Sequence, residues 1–486
     1  MKADIGLIGL AVMGENLAVN IESHGYKVAV YNRQLKGGPN VVDNFINNRG
    51  KGKKFIGTHT IAELMESVKT PRRIMMMVKS GTPVDELIGQ LLLFMDPGDI
   101  IIDGGNSDFH DTERRVKLLE SHGMYFIGTG VSGGEQGALH GPSIMPGGSE
   151  EAWKKVKKIL QDISAKIDDE NGAPCCEWMG KGGAGHFVKT VHNGIEYGDM
   201  QLIAESYALM KHRLHMNNDM VGHTFSKWNE TELNSFLVEI SAEIMHHRDK
   251  DGSWLIDNIL DVAGQKGTGK WSAIAALDEG NPMTLITEAV HARSLSVMLE
   301  SRQRAEAIYS GTQNEQSPLF TIDDLRLALY ASKIVSYAQG FSLLHSASKH
   351  YEWGLNLGTI AKIWRNGCII RSSFLKKITE AYKKEKRLNN LLFDSYFALQ
   401  ITKALPSWRK VVADAALHGI AIPAMNSALS YFDGLRTTDS PANLLQAQRD
   451  YFGAHTYERR DSERGRFFHT NWTGEGGDTV SGSYNA

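Results

Sequence analysis

Gly9-Leu10-Ala11-Val12-Met13-Gly14 closes the apolar run 5–10 and opens a segment of helix formers from Glu15. The string has the form G-x-A-x-x-G at a strand-to-helix turn. Gly9 permits the tight turn, and Gly14 lets helix and strand approach each other. Ala11 keeps the middle position small, so backbone N–H groups at a helix N-terminus can face a pyrophosphate. A strand before and a helix after turn a weak string into a dinucleotide-binding fingerprint.

The flanking pattern agrees. Residues 27–31, 73–78, 100–103 and 125–127 are further short, β-branched or aromatic runs, read as buried strands of a parallel sheet. Helical stretches such as 16–23, 84–94 and 112–121 lie between them. This alternation predicts a doubly wound α/β, Rossmann-like domain over residues 1–180. Beyond it, 183–211, 232–248, 323–349 and 390–405 have helical periodicity, which predicts a large all-α domain over residues 181–451. From residue 452 the chain is charge-dense, then rich in Gly and Ser. Residues 452–486 therefore read as an extended C-terminal tail that cannot bury a core of its own.

Composition narrows the function. The 486 residues carry 53 Lys and Arg against 56 Asp and Glu, a net charge of −3, so a general nucleic-acid partner is not expected. No apolar stretch approaches the roughly 18 residues of a membrane span. The run from Ile5 to Met13 mimics a leader, but Asp4, Gly6 and Gly9 break that pattern. Cys175, Cys176 and Cys368 cannot make a disulfide framework. The reading is a cytoplasmic protein. The histidines show no ligand spacing supported by carboxylates, and no catalytic metal is expected.

Asn32-Arg33-Gln34 follows the second strand. An Asp or Glu there would bind a ribose 2′-hydroxyl. Arg33 can instead pair with a 2′-phosphate through its planar fork, which points to NADP. The segment Lys189-Thr190-Val191-His192-Asn193-Gly194-Ile195-Glu196-Tyr197 places Lys189, His192, Asn193 and Glu196 on one helix face. A lysine and a glutamate two turns apart can flank a substrate as base and acid. Gly180, Gly182, Gly183 and Gly185 just upstream are read as room for close ligand approach. Gly128-Thr129-Gly130-Val131-Ser132-Gly133-Gly134-Glu135 can offer N–H groups and a hydroxyl to a carboxylate or hydroxyl. Gly264-Gln265-Lys266-Gly267-Thr268-Gly269-Lys270-Trp271 resembles a P-loop, but Trp271 replaces the metal-binding hydroxyl and residues 257–263 read as helix. It remains a candidate phosphate cradle through Lys266 and Thr268.

Together these strings resemble the 6-phosphogluconate dehydrogenase family, the decarboxylating, NADP-dependent enzymes of the pentose phosphate pathway. Asp103-Gly104-Gly105-Asn106-Ser107 and Arg449-Asp450-Tyr451-Phe452-Gly453-Ala454-His455 complete the resemblance, which spans nearly the whole chain in the family's order. It implies Lys189 as general base and Glu196 as general acid. It implies substrate contacts at Asn106, Ser132, Gly133, Gly134, His192, Asn193, Tyr197, Lys266, Thr268 and Arg293. Arg449 and His455 match contacts donated by the other subunit of a homodimer with shared active sites. The cofactor positions are Gly9, Leu10, Ala11, Val12, Met13, Gly14, Asn32, Arg33, Gln34, Val78, Lys79 and Asn106. Gln34 stands where the family often has a hydroxyl residue, and Gly37-Gly38-Pro39 lengthens the loop after it.

The implied reaction converts 6-phosphogluconate to ribulose 5-phosphate and CO2. Two other readings share the fingerprint: a non-decarboxylating β-hydroxyacid dehydrogenase and an NADPH-binding sensor without catalysis. The segments after residue 260 argue against the first, and the presence of both Lys189 and Glu196 argues against the second.

Overall fold

The computed structural model describes residues 2–34, 37–167, 172–309, 316–476 and 480. The chain divides into two compact units, Met1–Ala428 and Leu429–Ala486. The first is built on a seven-stranded sheet of β1 Ile5–Ile8, β2 Val28–Tyr31, β3 Phe55–Thr58, β4 Arg73–Met76, β5 Ile100–Asp103, β6 Tyr125–Val131 and β7 Ile144–Gly148. Their order is β3-β2-β1-β4-β5-β6-β7. Strands β1 to β6 run parallel; β7 pairs antiparallel with β6, so the sheet is mixed at that edge.

Alternation along each strand feeds two cores. Leu7, Val28, Val30, Met75, Ile100 and Ile102 face one side, with the helices Val12–Ser23 and Glu150–Ile163. Ile8, Ala29, Ile74, Met76 and Ile101 face the other, with Ile61–Ser67, Thr82–Leu92 and Phe109–Ser121. Both faces are covered, which is why these strands read as continuous apolar runs rather than alternating ones. Between β1 and β4 the strand order reverses. This switch point opens a crevice at the carboxyl ends of the strands, where the fingerprint turn lies.

The helical part follows. Helix Ala184–His212 crosses from the sheet into a layer formed by Thr268–Asp278, Thr284–Ser296 and Ile322–His350. Residues 257–263 are a correction: the chain is helical only over Leu255–Asn258. Ser296 then takes the Ala263 N–H and Arg302 pairs with Asp261, and both bonds hold a non-helical path. The stretch expected at 390–405 becomes a short turn at Leu391–Phe393 and a helix Ser395–Leu417 that continues through Pro406. Among the described residues no helix is long and apolar enough to cross a membrane.

The second unit contains helix Ala442–Gly453 and a hairpin pairing Tyr457–Glu458 with Phe467–Phe468. Its hub is a carboxylate rather than an apolar core. Asp450, fully buried, accepts from the N–H groups of Thr456 and Thr470 and from Trp472 Nε1, at 2.9–3.0 Å, and lies 2.9 Å from His469 Nδ1. Burial alone would raise its pKa; these bonds outweigh it and hold the carboxyl below its usual range. The composition of the tail hid this polar hub.

Candidate active site

The crevice at the switch point is a cleft of about 400 Å³ lined by Gly9, Ala11, Tyr31, Asn32, Arg33, Met77, Val78 and Lys79, and also by Pro83, Glu86 and Gln90. That volume is within the roughly 300–1,000 Å³ of small-molecule sites. Gly9 has φ 99°, and a Cβ there would strike the Met77 carbonyl, so the turn admits only glycine. The N-cap of the first helix is Ala11, and no side chain caps it, which leaves the first-turn N–H groups to an anion. Asn32 Oδ1 accepts the Leu10 N–H at 3.0 Å and ties the turn to the end of β2. Arg33 is exposed, with no ionic partner among the described residues. Gln34 donates to the Gly38 carbonyl at 2.8 Å. Turn, uncapped helix and unpaired guanidinium fit NADP.

Helix Ala184–His212 is held to the sheet backbone-to-backbone. A Cβ on Gly185 would strike the main chain of Gly128, Met145 and Gly147, and one on Gly130 would strike Lys189 itself. The glycines just upstream are closed off by other parts of the protein rather than left open for a ligand. Gly183 abuts Phe109, Gly182 abuts the Glu113 carboxylate, and Gly180 abuts the Trp353 backbone. Protein fills the space that the sequence reading left for a ligand.

The polar face of this helix is a connected cluster. Lys189 Nζ donates to Asn193 Oδ1 at 2.6 Å and lies 3.4 Å from His192 Nδ1. His192 Nε2 lies 3.0 Å from Ser132 Oγ, on the loop after β6. Glu196 Oε2 is 3.8 Å from His192 Nδ1, too far for a hydrogen bond. Burial pushes the Lys189 pKa down, against the opposing charge of Glu196. Burial also raises the Glu196 pKa, and Lys189 and Arg293 pull it partly back. His192 is held well below the imidazole range, first by burial and then by Lys189. The lysine is thus moved toward a neutral base and the glutamate toward a protonated acid, as proton transfer requires.

Tyr197 extends the cluster. The Arg293 guanidinium stacks on its ring at 3.6 Å, and Gly269 packs against the ring edge. This joins the 264–271 loop to the same face. Helix Thr268–Asp278 starts there from Gly267 at φ 89° with no side-chain cap, and Lys266 is exposed beside it. Gly133 and Gly134 begin helix Gly134–His140, close to Ser132. Asn106 sits exposed on the loop after β5. Arg449 and His455 lie in the second unit. Arg449 donates to Gln446 Oε1 at 3.1 Å. His455 is flanked by Ala454 and Thr456, at φ 48° and 59°. Left-handed non-glycine residues on both sides mark a constrained segment.

The sequence reading missed two features. Asp199, one turn past Glu196, forms a fully buried pair with Lys333 at 2.7 Å and also acts on the Glu196 charge. His186, one turn before Lys189, bridges to β5. Each has a partner far away in sequence.

Comparison with known proteins matches residues 4–180 to the NAD binding domain of 6-phosphogluconate dehydrogenase and residues 185–472 to its C-terminal domain. The chain belongs to the 6-phosphogluconate dehydrogenase family. It is 53% identical to the decarboxylating 6-phosphogluconate dehydrogenase of Treponema pallidum over 100% of both chains. It is 52% identical to that of Mus musculus, again over 100% of both. A solved 6-phosphogluconate dehydrogenase from Plasmodium falciparum, described as apo, with its cofactor NADP+ and with its substrate 6-phosphogluconate, superposes with a TM-score of 0.90 at 45% identity. It covers 96% of this chain and all of its own. The cleft, the uncapped helix and the Lys189 face therefore lie in a 6-phosphogluconate dehydrogenase fold from end to end.

Proposed function

We propose that the protein oxidatively decarboxylates 6-phospho-D-gluconate to D-ribulose 5-phosphate and CO2, reducing NADP+ to NADPH in the oxidative pentose phosphate pathway. The observation that carries this is the Lys189 face, a buried lysine and a glutamate with opposed pKa shifts two turns apart, in a chain similar over its full length to decarboxylating members.

NADP+, when bound, supplies the acceptor for the hydride at C3. Gly9 to Gly14 would cradle its pyrophosphate, Asn32, Arg33 and Gln34 its ribose end, and Val78, Lys79 and Asn106 the remainder. Neutral Lys189 takes the proton of the C3 hydroxyl as C3 is oxidised. The 3-keto acid then loses CO2 because its β-carbonyl accepts the electron pair. Protonated Lys189 stabilises the enolate oxygen. Glu196 gives its proton to C1 of the enediol. Ser132, Gly133, Gly134, His192 and Asn193 hold the carboxylate end of the substrate. Tyr197, Lys266, Thr268 and Arg293 hold its phosphate end, with Arg449 and His455 supplied by the other subunit, and there remote binding energy positions the reacting carbon.

In this reading residues 1–180 bind cofactor, 181–451 bind substrate and dimerise, and 452–486 reach the partner subunit of a homodimer. The protein acts in the cytoplasm. The test is NADPH absorbance and CO2 release with 6-phosphogluconate, beside 3-hydroxyisobutyrate. Turnover of the second alone would overturn the reading.

A further inference from the structure

His186 lies one helical turn before Lys189 and is buried. An apolar side chain would fill such a position at less cost, because a buried imidazole has two nitrogens to satisfy. Both are satisfied from the cofactor side of the fold. Nδ1 lies 2.7 Å from Thr112 Oγ1, on helix Phe109–Ser121. Nε2 lies 3.2 Å from the main-chain oxygen of Asp103, the last residue of β5. A carbonyl can only accept, so in the neutral ring Nε2 carries the proton and Nδ1 accepts from the Thr112 hydroxyl, which has the Asp108 carbonyl at 3.0 Å as its other acceptor. Gly128 of β6 leaves room for the ring: a Cβ there would fall 2.8 Å from Nδ1.

Asp103 is also the root of the loop that carries Asn106. Its carboxylate accepts the Gly105 N–H at 3.0 Å and the Ser107 hydroxyl at 2.6 Å. The carboxylate holds the loop from inside, while His186 holds the carbonyl at its base. The same helix presents Lys189 one turn later, against Gly130 of β6. The imidazole is thus a direct hydrogen-bonded link between the loop that would meet cofactor and substrate and the helix that carries the base.

We propose that His186 is a positioning residue: it holds the Asn106 loop in register with Lys189, so that the hydride acceptor and the base meet the same substrate carbon. This rests on the functional reading above. Misplacing reacting groups by about 1 Å can cost on the order of a hundredfold in rate, which sets the scale of the effect.

The test uses the full chain with His186→Leu, His186→Gln and Thr112→Val. Hydride transfer is followed as NADPH formation in a single turnover, beside the NADP+ dissociation constant and the thermal midpoint. His186→Leu should slow hydride transfer on the order of ten- to a hundredfold while NADP+ binding changes less than about threefold. Glutamine keeps a donor and an acceptor and should recover most of the rate. Thr112→Val, nearly isosteric, should slow the step severalfold. Parent-like hydride transfer in His186→Leu, or equal losses in Leu and Gln, would overturn the proposal. If His186→Leu does not fold, Thr112→Val decides, and a parent-like rate there overturns it. An inactive parent would instead sink the functional reading.

Discussion

Lys189 donates from Nζ to Asn193 Oδ1 across 2.6 Å, one turn along the same helix. An amide oxygen orients the amine without adding charge, so burial still drives the lysine toward its neutral form, as the proposed role of base requires. Asn193→Asp keeps the shape and places a carboxylate at that distance. An opposite charge this close favours the ammonium by about 1–3 pKa units. Lys189 then stays protonated to higher pH. The acidic limb of kcat/KM should move up in pH, activity at pH 7 should fall on the order of ten- to a hundredfold, and raising the pH should restore part of it. A parent-like profile would show that Lys189 is not the base.

Gly130 lies directly against Lys189, and a Cβ there would strike the lysine's own. Gly130→Ala should push the helix from β6. Overpacking typically costs about 1–3 kcal/mol, so the denaturation midpoint should drop and kcat should fall with it. If stability and kcat are both unchanged, the close seat of this helix on the sheet is not what places the base.

Arg33, just past the end of β2, has no ionic partner among the described residues. If it pairs with the 2′-phosphate, Arg33→Ala should weaken NADP+ and leave NAD+ alone. A charge-assisted bond is worth roughly 1.5–3 kcal/mol, so the loss should be about tenfold to a hundredfold. Titrating both cofactors checks this, and equal weakening would assign Arg33 a role in folding.

Much of this was legible in the sequence, for a physical reason. Strands buried on both faces must be continuously apolar, and β1, β2, β4, β5 and β6 announce themselves that way. The strand Ile144–Gly148 does not: Pro146, Gly147 and Gly148 look like a turn, yet they pair with β6, with Gly147 closed against Gly185 of helix Ala184–His212 and Gly148 against the Phe126 carbonyl. The face from Lys189 to Glu196 followed from helical spacing alone. The glycines before it were misread, since spacing shows where side chains are missing and not what fills the space. His186 and Asp199 were illegible because their partners, Asp103, Thr112 and Lys333, come from distant segments.

The proposed sharing of the site between subunits is tested by mixing variants. Lys189 belongs to one subunit, and in the proposed dimer Arg449 reaches it from the other. Lys189→Met and Arg449→Ala would be prepared separately, dissociated, mixed and reassociated. Random pairing makes about half the dimers mixed, each with one intact site of two, so about a quarter of parental activity should return. Mixed dimers that form without regaining activity would mean that Arg449 serves its own subunit.

The most direct measurement uses 6-phosphogluconate labelled with carbon-13 at C1, together with NADP+, and follows NADPH and the label in one reaction. The account predicts one labelled CO2 for each NADPH in the parent, and neither product from Lys189→Met. NADPH formed while the label stays in an organic acid would contradict it, because oxidation would then proceed without the decarboxylation assigned to this helix face.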